Sequence, residues 1–202
     1  MGSLFDGIGG FPLAAVRNGI TPVWASEIEP FPIEVTKTHF PDMVHVGDIT
    51  KLNGAELPPV DIICGGSPCQ DLSVAGARAG LAGARSGLFM EQVRLVKEMR
   101  NADIQRGRTA FDVRPRFMAW ENVPGAFSSG TPKGEDFRIV LEEIVRVKCD
   151  SAFPTSLSQA PILTDGPMSV ISRQAICFLL RGAVWTLNYV QLNIIELMYS
   201  RK

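Results

Sequence analysis

Histidine and cysteine are scarce in this 202-residue chain, and their spacing matters as much as their number. There are two histidines and four cysteines, and the cysteines (Cys64, Cys69, Cys149, Cys177) never occur as Cys-x-x-Cys. Neither a zinc site nor a disulfide framework is expected, and a reducing cytoplasm is the expected compartment. Long apolar runs are missing too: no uncharged stretch approaches the ~18 residues of a membrane span, so no membrane association is expected. Met1-Gly2-Ser3 is not followed by a basic region and an apolar core, so no signal peptide is expected. No internal repeat or low-complexity tract appears. What is present is 46 % apolar and 20 % charged. That is the composition of a globular chain with a real core, and the length suits one domain or one domain with a tail.

The net charge of −1 conceals an uneven distribution. Residues 1–77 carry three basic and nine acidic groups, whereas residues 78–116 carry nine basic and four acidic ones. The basic block runs from Arg78 to Arg116. It reads either as a phosphate-facing surface or as a solvated helix face.

Short apolar runs alternate with amphipathic stretches over residues 1–148. Gly2-Ser3-Leu4-Phe5, Val23-Trp24-Ala25-Ser26, Val44-His45-Val46, Val60-Asp61-Ile62-Ile63-Cys64 and Phe117-Met118-Ala119-Trp120 read as strands. Between them, helices are expected from Phe11-Pro12 to Asn18-Gly19, over 33–39, along the Phe89/Val93/Val96/Met99 spacing, and from Asp136 along Phe137, Val140, Leu141, Ile144 and Val145. Such alternation predicts an α/β fold: a doubly wound, Rossmann-like parallel sheet with helices on both faces. Ligands gather at the carboxyl ends of such strands, and Asp6, Glu27, Asp48, Pro68-Cys69 and Glu121-Asn122 all fall just past strand ends. From residue 149 onward no clean period appears, and only seven of the last 54 residues are charged. The expected division is a cofactor-binding and catalytic domain over 1–148 and an unassigned tail over 149–202.

Several of these residues carry chemistry. The turn Gly7-x-Gly9-Gly10 suits close backbone approach to a cofactor, although a simple tight turn has the same composition. Glu27 can accept hydrogen bonds from a ribose, or simply sit solvated beside Glu29. Cys69, between Pro68 and Gln70 at a strand mouth, has the makings of a nucleophile, whereas Cys64 within an apolar strand reads as a small buried hydrophobe. Glu121 ends an apolar strand, where desolvation would let it hold a proton; a capping carboxylate is the alternative.

Taken in order, these segments resemble the DNA (cytosine-5) methyltransferases over roughly residues 2–148. Ser3-Leu4-Phe5-Asp6-Gly7-Ile8-Gly9-Gly10 resembles the first motif of the family, whose aromatic residue and glycines cradle S-adenosylmethionine. The resemblance implies that Glu27 binds the ribose hydroxyls, that Ile28 lies beside the adenine, and that Asp48, followed by Ile49, bonds the adenine amino group. Gly65-Gly66-Ser67-Pro68-Cys69-Gln70 resembles the nucleophile motif and Glu121-Asn122-Val123 the motif that recognises the target cytosine. It further implies a partner, DNA, with the cytosine flipped out of the duplex into the pocket. Ser73, Arg78 and Arg85, in a loop of small residues after Cys69, would meet the DNA backbone. No metal is required.

The family's later glutamine–arginine motif, its target-recognition region and its last cofactor segment are not recognisable, and Gln174 and Arg181 lack the spacing. Three readings therefore stand. One is a methyltransferase, active alone or with a complementing chain that supplies the missing motifs. The others are a truncated inactive remnant and a non-catalytic DNA-binding or regulatory module of the same fold.

Overall fold

A computed structural model describes residues 1–68, 87–109, 112–122, 132–147, 174–179 and 183–188. Seven strands form one sheet in the order β3-β2-β1-β4-β5-β6-β7. The strands β1 (Gly2–Leu4), β2 (Trp24–Ser26), β3 (Val44–His45), β4 (Ile62–Gly65) and β5 (Phe117–Asn122) are mutually parallel. Gly2 stands opposite Trp24 on one side and Ile63 on the other, so β1 is central. The chain winds outward from β1 to β3, then returns to β4 and proceeds the other way. The expected doubly wound, Rossmann-like fold is what forms.

Helices begin where the sequence offers a start. In α1 (Gly10–Arg17) Pro12 occupies the first turn, where its missing N–H leaves no bond unmade, and the chain leaves through Asn18 and Gly19 at φ 73°. α2 (Pro30–His39) starts three residues earlier than its apolar spacing suggests, because Pro30 provides a ready-made first helical position. A single 3₁₀ turn, Ile49–Lys51, follows β3. α3 (Leu88–Gln105) and α4 (Glu135–Arg146) complete the described helices. None of the described helices is long and apolar enough to cross a membrane.

Residues in adjacent strand positions divide between the two faces. Leu4, Trp24, Ile63, Met118 and Trp120 join Phe89, Val93, Val96 and Met99 of α3 and Val140 and Ile144 of α4 in the larger core. Met1, Ile62, Cys64 and Ala119 meet Ala15 of α1 on the other face. Burial on both faces explains why these strands read as continuous apolar runs rather than alternating ones. Cys64, 1 % exposed, is the small buried hydrophobe expected of it.

Beyond residue 149 the structure adds what the sequence pattern did not reveal. β6 (Gln174–Leu179) pairs antiparallel with β5, from Phe117↔Leu179 to Asn122↔Gln174, and β7 (Ala183–Asn188) pairs antiparallel with β6. These two near-continuous apolar runs lack the polar alternation that marks a half-buried strand, so period alone passes over them.

One core position conflicts with its surroundings. Gln92 on α3 is wholly buried, and among the described residues neither its carboxamide oxygen nor its nitrogen has a hydrogen-bond partner. Its amide packs so closely on Gly65 that a Cβ there would lie 2.8 Å from Oε1. An unpartnered buried polar group costs about 1–3 kcal/mol. Replacing it with an apolar side chain of similar length, Gln92→Met, is expected to raise the urea midpoint by an amount equivalent to about 1–2 kcal/mol. An unchanged or lower midpoint would show that the amide is satisfied in solution.

Candidate active site

Strand order reverses between β1 and β4, so the carboxyl ends of these neighbours open a crevice that no crossover connection covers. The segments Phe5–Gly10 and Gly66–Pro68 emerge into it, with Glu27 and Asp48 beyond on one side and Glu121-Asn122 on the other. Of the positions picked out in the sequence, Asp6, Glu27, Asp48, Pro68 and Glu121-Asn122 therefore share one edge of the sheet.

The turn after β1 is built from unusual backbone. Phe5, Gly7 and Gly9 adopt φ of 53°, 55° and 88°, a left-handed region that a non-glycine such as Phe5 seldom enters. At Gly7 nothing lies within 4 Å of where a Cβ would be, so the turn presents bare backbone to open space. Gly9 answers a different need: a Cβ there would meet Thr36 and Phe40 of the α2 region at 2.9 Å. Gly10 begins α1 and also borders open space. Glu27 ties the turn to β2. Its Oε2 accepts the Gly7 amide at 2.8 Å, and its Oε1 accepts the amides of Ile28 at 2.7 Å and Glu29 at 3.0 Å. A carboxylate offers about four acceptor sites, which leaves one on Oε2 for a ligand hydroxyl. Ile28 is 65 % exposed beside it, an apolar surface available to a flat ring.

Asp6 underlies the same turn. Its Oδ1 accepts the Ser3 hydroxyl, while its Oδ2 is buried without a partner. Burial pushes the Asp6 carboxyl up to about 6 from the usual 3.8; the Ser3 hydroxyl opposes this and the nearby Glu27 charge adds to it.

Asp48 follows Gly47, whose φ is 79°, and caps the 3₁₀ turn. Its Oδ1 accepts the Thr50 hydroxyl at 2.8 Å and the Thr50 amide at 3.0 Å, and these bonds hold its carboxyl below the usual range. Its Oδ2 faces only Lys51, at 3.6 Å. Ile49 departs from expectation: its side chain is 3 % exposed within the larger core, so it supports the turn rather than offering a ligand surface.

Across the crevice, Ser67 is pinned twice. Trp120 donates its indole N–H to the Ser67 hydroxyl at 3.0 Å, and Asn122 donates its side-chain N–H to the Ser67 carbonyl at 3.2 Å. Asn122 is 2 % exposed, so its role here is to brace the approach to Pro68, which is itself exposed. Glu121 projects towards Gly66, where a Cβ would lie 2.7 Å from Oε2. Only glycine leaves the carboxylate that position. Cys69, Ser73, Arg78 and Arg85 lie outside the described residues.

The described part of the basic block, Arg94 to Arg116, is paired within the protein. Every described member holds an acceptor within the protein. Arg94 binds Glu91 and Glu98, and Lys97 approaches Glu143. Arg100 donates to the carbonyls of Val113 and Pro115, and Arg116 pairs with Asp61. Arg106, Arg108 and Arg114 surround the fully buried carboxylate of Asp103. Sequence counting registers the cations but not the partners folded against them. It likewise passed over Ser67 as a brace and Asp6 as a buried acid, although both lie inside the quoted motifs.

A doubly wound sheet with a glycine turn and two carboxylates on one side of its crevice, and a braced loop facing a third, defines a Rossmann-like domain of the methyltransferase type. The family described as C-5 cytosine-specific DNA methylase matches residues 1–147, and the chain belongs to that family. The chain is 43 % identical over 142 residues to type II methyltransferase M1.ScrFI of Lactococcus lactis subsp. cremoris, covering 70 % of this chain and 32 % of that one. It is 38 % identical over 132 residues to a protein of Escherichia phage P1 named DNA N-6-adenine-methyltransferase, covering 63 % of this chain and 17 % of the other. The crystal structure of a prophage-encoded E. coli protein assigned as a DNA modification methyltransferase superposes with a TM-score of 0.50 at 28 % identity, over 70 % of this chain and 36 % of that one. The chain thus spans about a third or less of the length of these two curated relatives.

The Asp6 carboxyl links this site to stability. A folded-state pKa raised to about 6 means that the native state keeps its proton while the unfolded chain ionises near 3.8. Stability is therefore expected to fall as pH rises from about 4 to about 6, by up to about 3 kcal/mol. Asp6→Asn, which keeps an acceptor for Ser3, removes that loss. Denaturant unfolding of both proteins at pH 4 and pH 7 checks this: the variant's advantage should open only at the higher pH. Curves that run parallel at both would refute it.

Proposed function

We propose that this chain transfers a methyl group from S-adenosylmethionine to carbon 5 of cytosine in DNA, with Cys69 as the nucleophile. The observation that carries the reading is the Glu121 carboxylate set against Gly66 at the mouth of β4, three residues before Cys69. The other wall of the crevice fits the cofactor. Phe5 and the open backbone at Gly7, Gly9 and Gly10 would take its amino-acid end. The spare acceptor on Glu27 suits a ribose hydroxyl, Ile28 flanks the adenine, and Asp48 Oδ2 suits its amino group, with Ile49 behind. When bound, S-adenosylmethionine supplies an electrophilic methyl group on a sulfonium.

Carbon 5 of cytosine is too poor a nucleophile to accept that group unaided. Addition of the Cys69 thiolate at carbon 6 turns the ring into an enamine whose carbon 5 is nucleophilic. Charge then builds towards ring nitrogen 3, where Glu121 in its protonated form donates a hydrogen bond or proton. Pro68 sets the direction of the loop, and Asn122 holds it through Ser67. Once carbon 5 bears the methyl group, a base takes the carbon 5 proton and the carbon 6–sulfur bond breaks, releasing the Cys69 thiolate and 5-methylcytosine. The base is out of reach inside a duplex and must be flipped into the crevice. Ser73, Arg78 and Arg85 would steady the DNA backbone around it, and the cytoplasm is the compartment this reading implies. Residues 1–148 carry this chemistry in this reading, and residues 149–202 are unassigned.

This reading includes a complementing chain that supplies the missing motifs; the second reading is an inactive remnant or a non-catalytic DNA-binding or regulatory module of the same fold. Incubation with labelled cofactor and mixed-sequence DNA, with and without a 5-fluorocytosine in the duplex, separates these. Methyl transfer, and a covalent adduct on Cys69 with the fluorinated base, are expected for an enzyme. Cys69→Ser should abolish both, because a serine hydroxyl is a far weaker nucleophile at neutral pH. Transfer retained by the serine variant would overturn the assignment. No transfer and no adduct would favour the second reading.

A further inference from the structure

The stretch between β3 and β4 has little sheet to hold it. β3 is two residues long at the sheet edge, Val44 is exposed, and the following regular structure is the single 3₁₀ turn. β2 ties down Val46, Gly47 and Pro58, and the turn between them is held from α3. The Arg94 guanidinium donates to the Ile49 carbonyl at 3.0 Å and to the Leu52 carbonyl at 2.9 Å, one at each end of the turn that Asp48 caps. Glu91 and Glu98 hold the guanidinium from behind, at 2.7 and 2.8 Å. Glu98 also accepts the Gly54 amide at 2.8 Å, and Arg106 reaches the Ala55 carbonyl at 2.9 Å. Two carbonyls and two carboxylates around one cation need the planar five-donor fork of arginine. A lysine ammonium, with three donors on one atom, cannot span them.

We propose that Arg94 is a positioning residue for the adenine side of the cofactor site, aiming Asp48 by clamping both ends of its turn. The inference rests on the reading that S-adenosylmethionine binds here with Asp48 at the adenine amino group. Asp48 Oδ1 is committed to Thr50, so the direction of Oδ2 is set by the turn and not by the freedom of the side chain. Loosening the turn should therefore erode discrimination between bases more than it erodes binding in general.

Calorimetry with S-adenosylhomocysteine and S-inosylhomocysteine, in which oxygen replaces the adenine amino group, reads this without turnover. The unaltered chain is expected to favour the adenine ligand by about tenfold or more, since a site built for a donor rejects the analogue lacking it. In Arg94→Lys the preference should fall to within about threefold. Arg100→Lys is the control: it lies on the same helix but holds the carbonyls of Val113 and Pro115, and it should keep the preference even if it unfolds earlier. A preference preserved in Arg94→Lys, or lost equally in Arg100→Lys, overturns the proposal. If the unaltered chain binds neither ligand, or both alike, the cofactor reading itself fails, and the role of Arg94 with it.

Discussion

β1 is hydrogen-bonded on both sides, to β2 and to β4, and the rest of the architecture depends on that central placement. A parallel strand with two parallel neighbours forces the chain to cross over outside the sheet each time, so helices must cover both faces. It also sends the carboxyl ends of β1 to β5 in one direction. Side chains separated by more than a hundred residues, Asp6 and Glu121 among them, reach one edge only because every intervening strand runs the same way. The strand order reverses beside β1, which leaves the crevice open there.

Among the described residues, α3 holds several charges in contacts inside the protein. Asp103 is fully buried among Arg106, Arg108 and Arg114, and Arg94 gathers two carboxylates and two carbonyls. These contacts fasten irregular chain to α3, where strand pairing does not reach. Asp6 is the contrasting case: a carboxyl buried beneath the glycine turn, with one oxygen unmatched among the described residues and its pKa pushed up to about 6 by burial. Described cations that look like a binding surface in a linear count have partners within the protein, whereas an acid at a strand end becomes a buried, perturbed carboxyl beneath the turn.

Much of the fold and of the candidate site is legible in the residues themselves. Strand runs buried on both faces need uninterrupted apolar residues, and Pro12 and Pro30 mark helix starts by local backbone chemistry. Gly7 and Gly9 mark a turn that L side chains resist. Carboxylates placed after such strands announce the functional edge through the fold rule alone. The antiparallel pair β6 and β7 was not legible, because an apolar run without alternation carries no period and its pairing with β5 is a non-local event.

Over residues 1–148 the sequence by itself determined the strand–helix order, the parallel part of the sheet and the residues placed at its carboxyl edge, since these follow from composition and spacing within short windows. Only the tertiary structure decided how those residues are used. It turned Ile49 inward, made Asn122 a brace on Ser67 rather than a free amide, and left Gln92 buried without a partner. It also gave the described cations from Arg94 to Arg116 partners within the protein. The reason is physical: a side chain's role depends on which distant groups fold within ~3 Å of it, and hydrogen-bond partners of that kind are invisible to any local pattern.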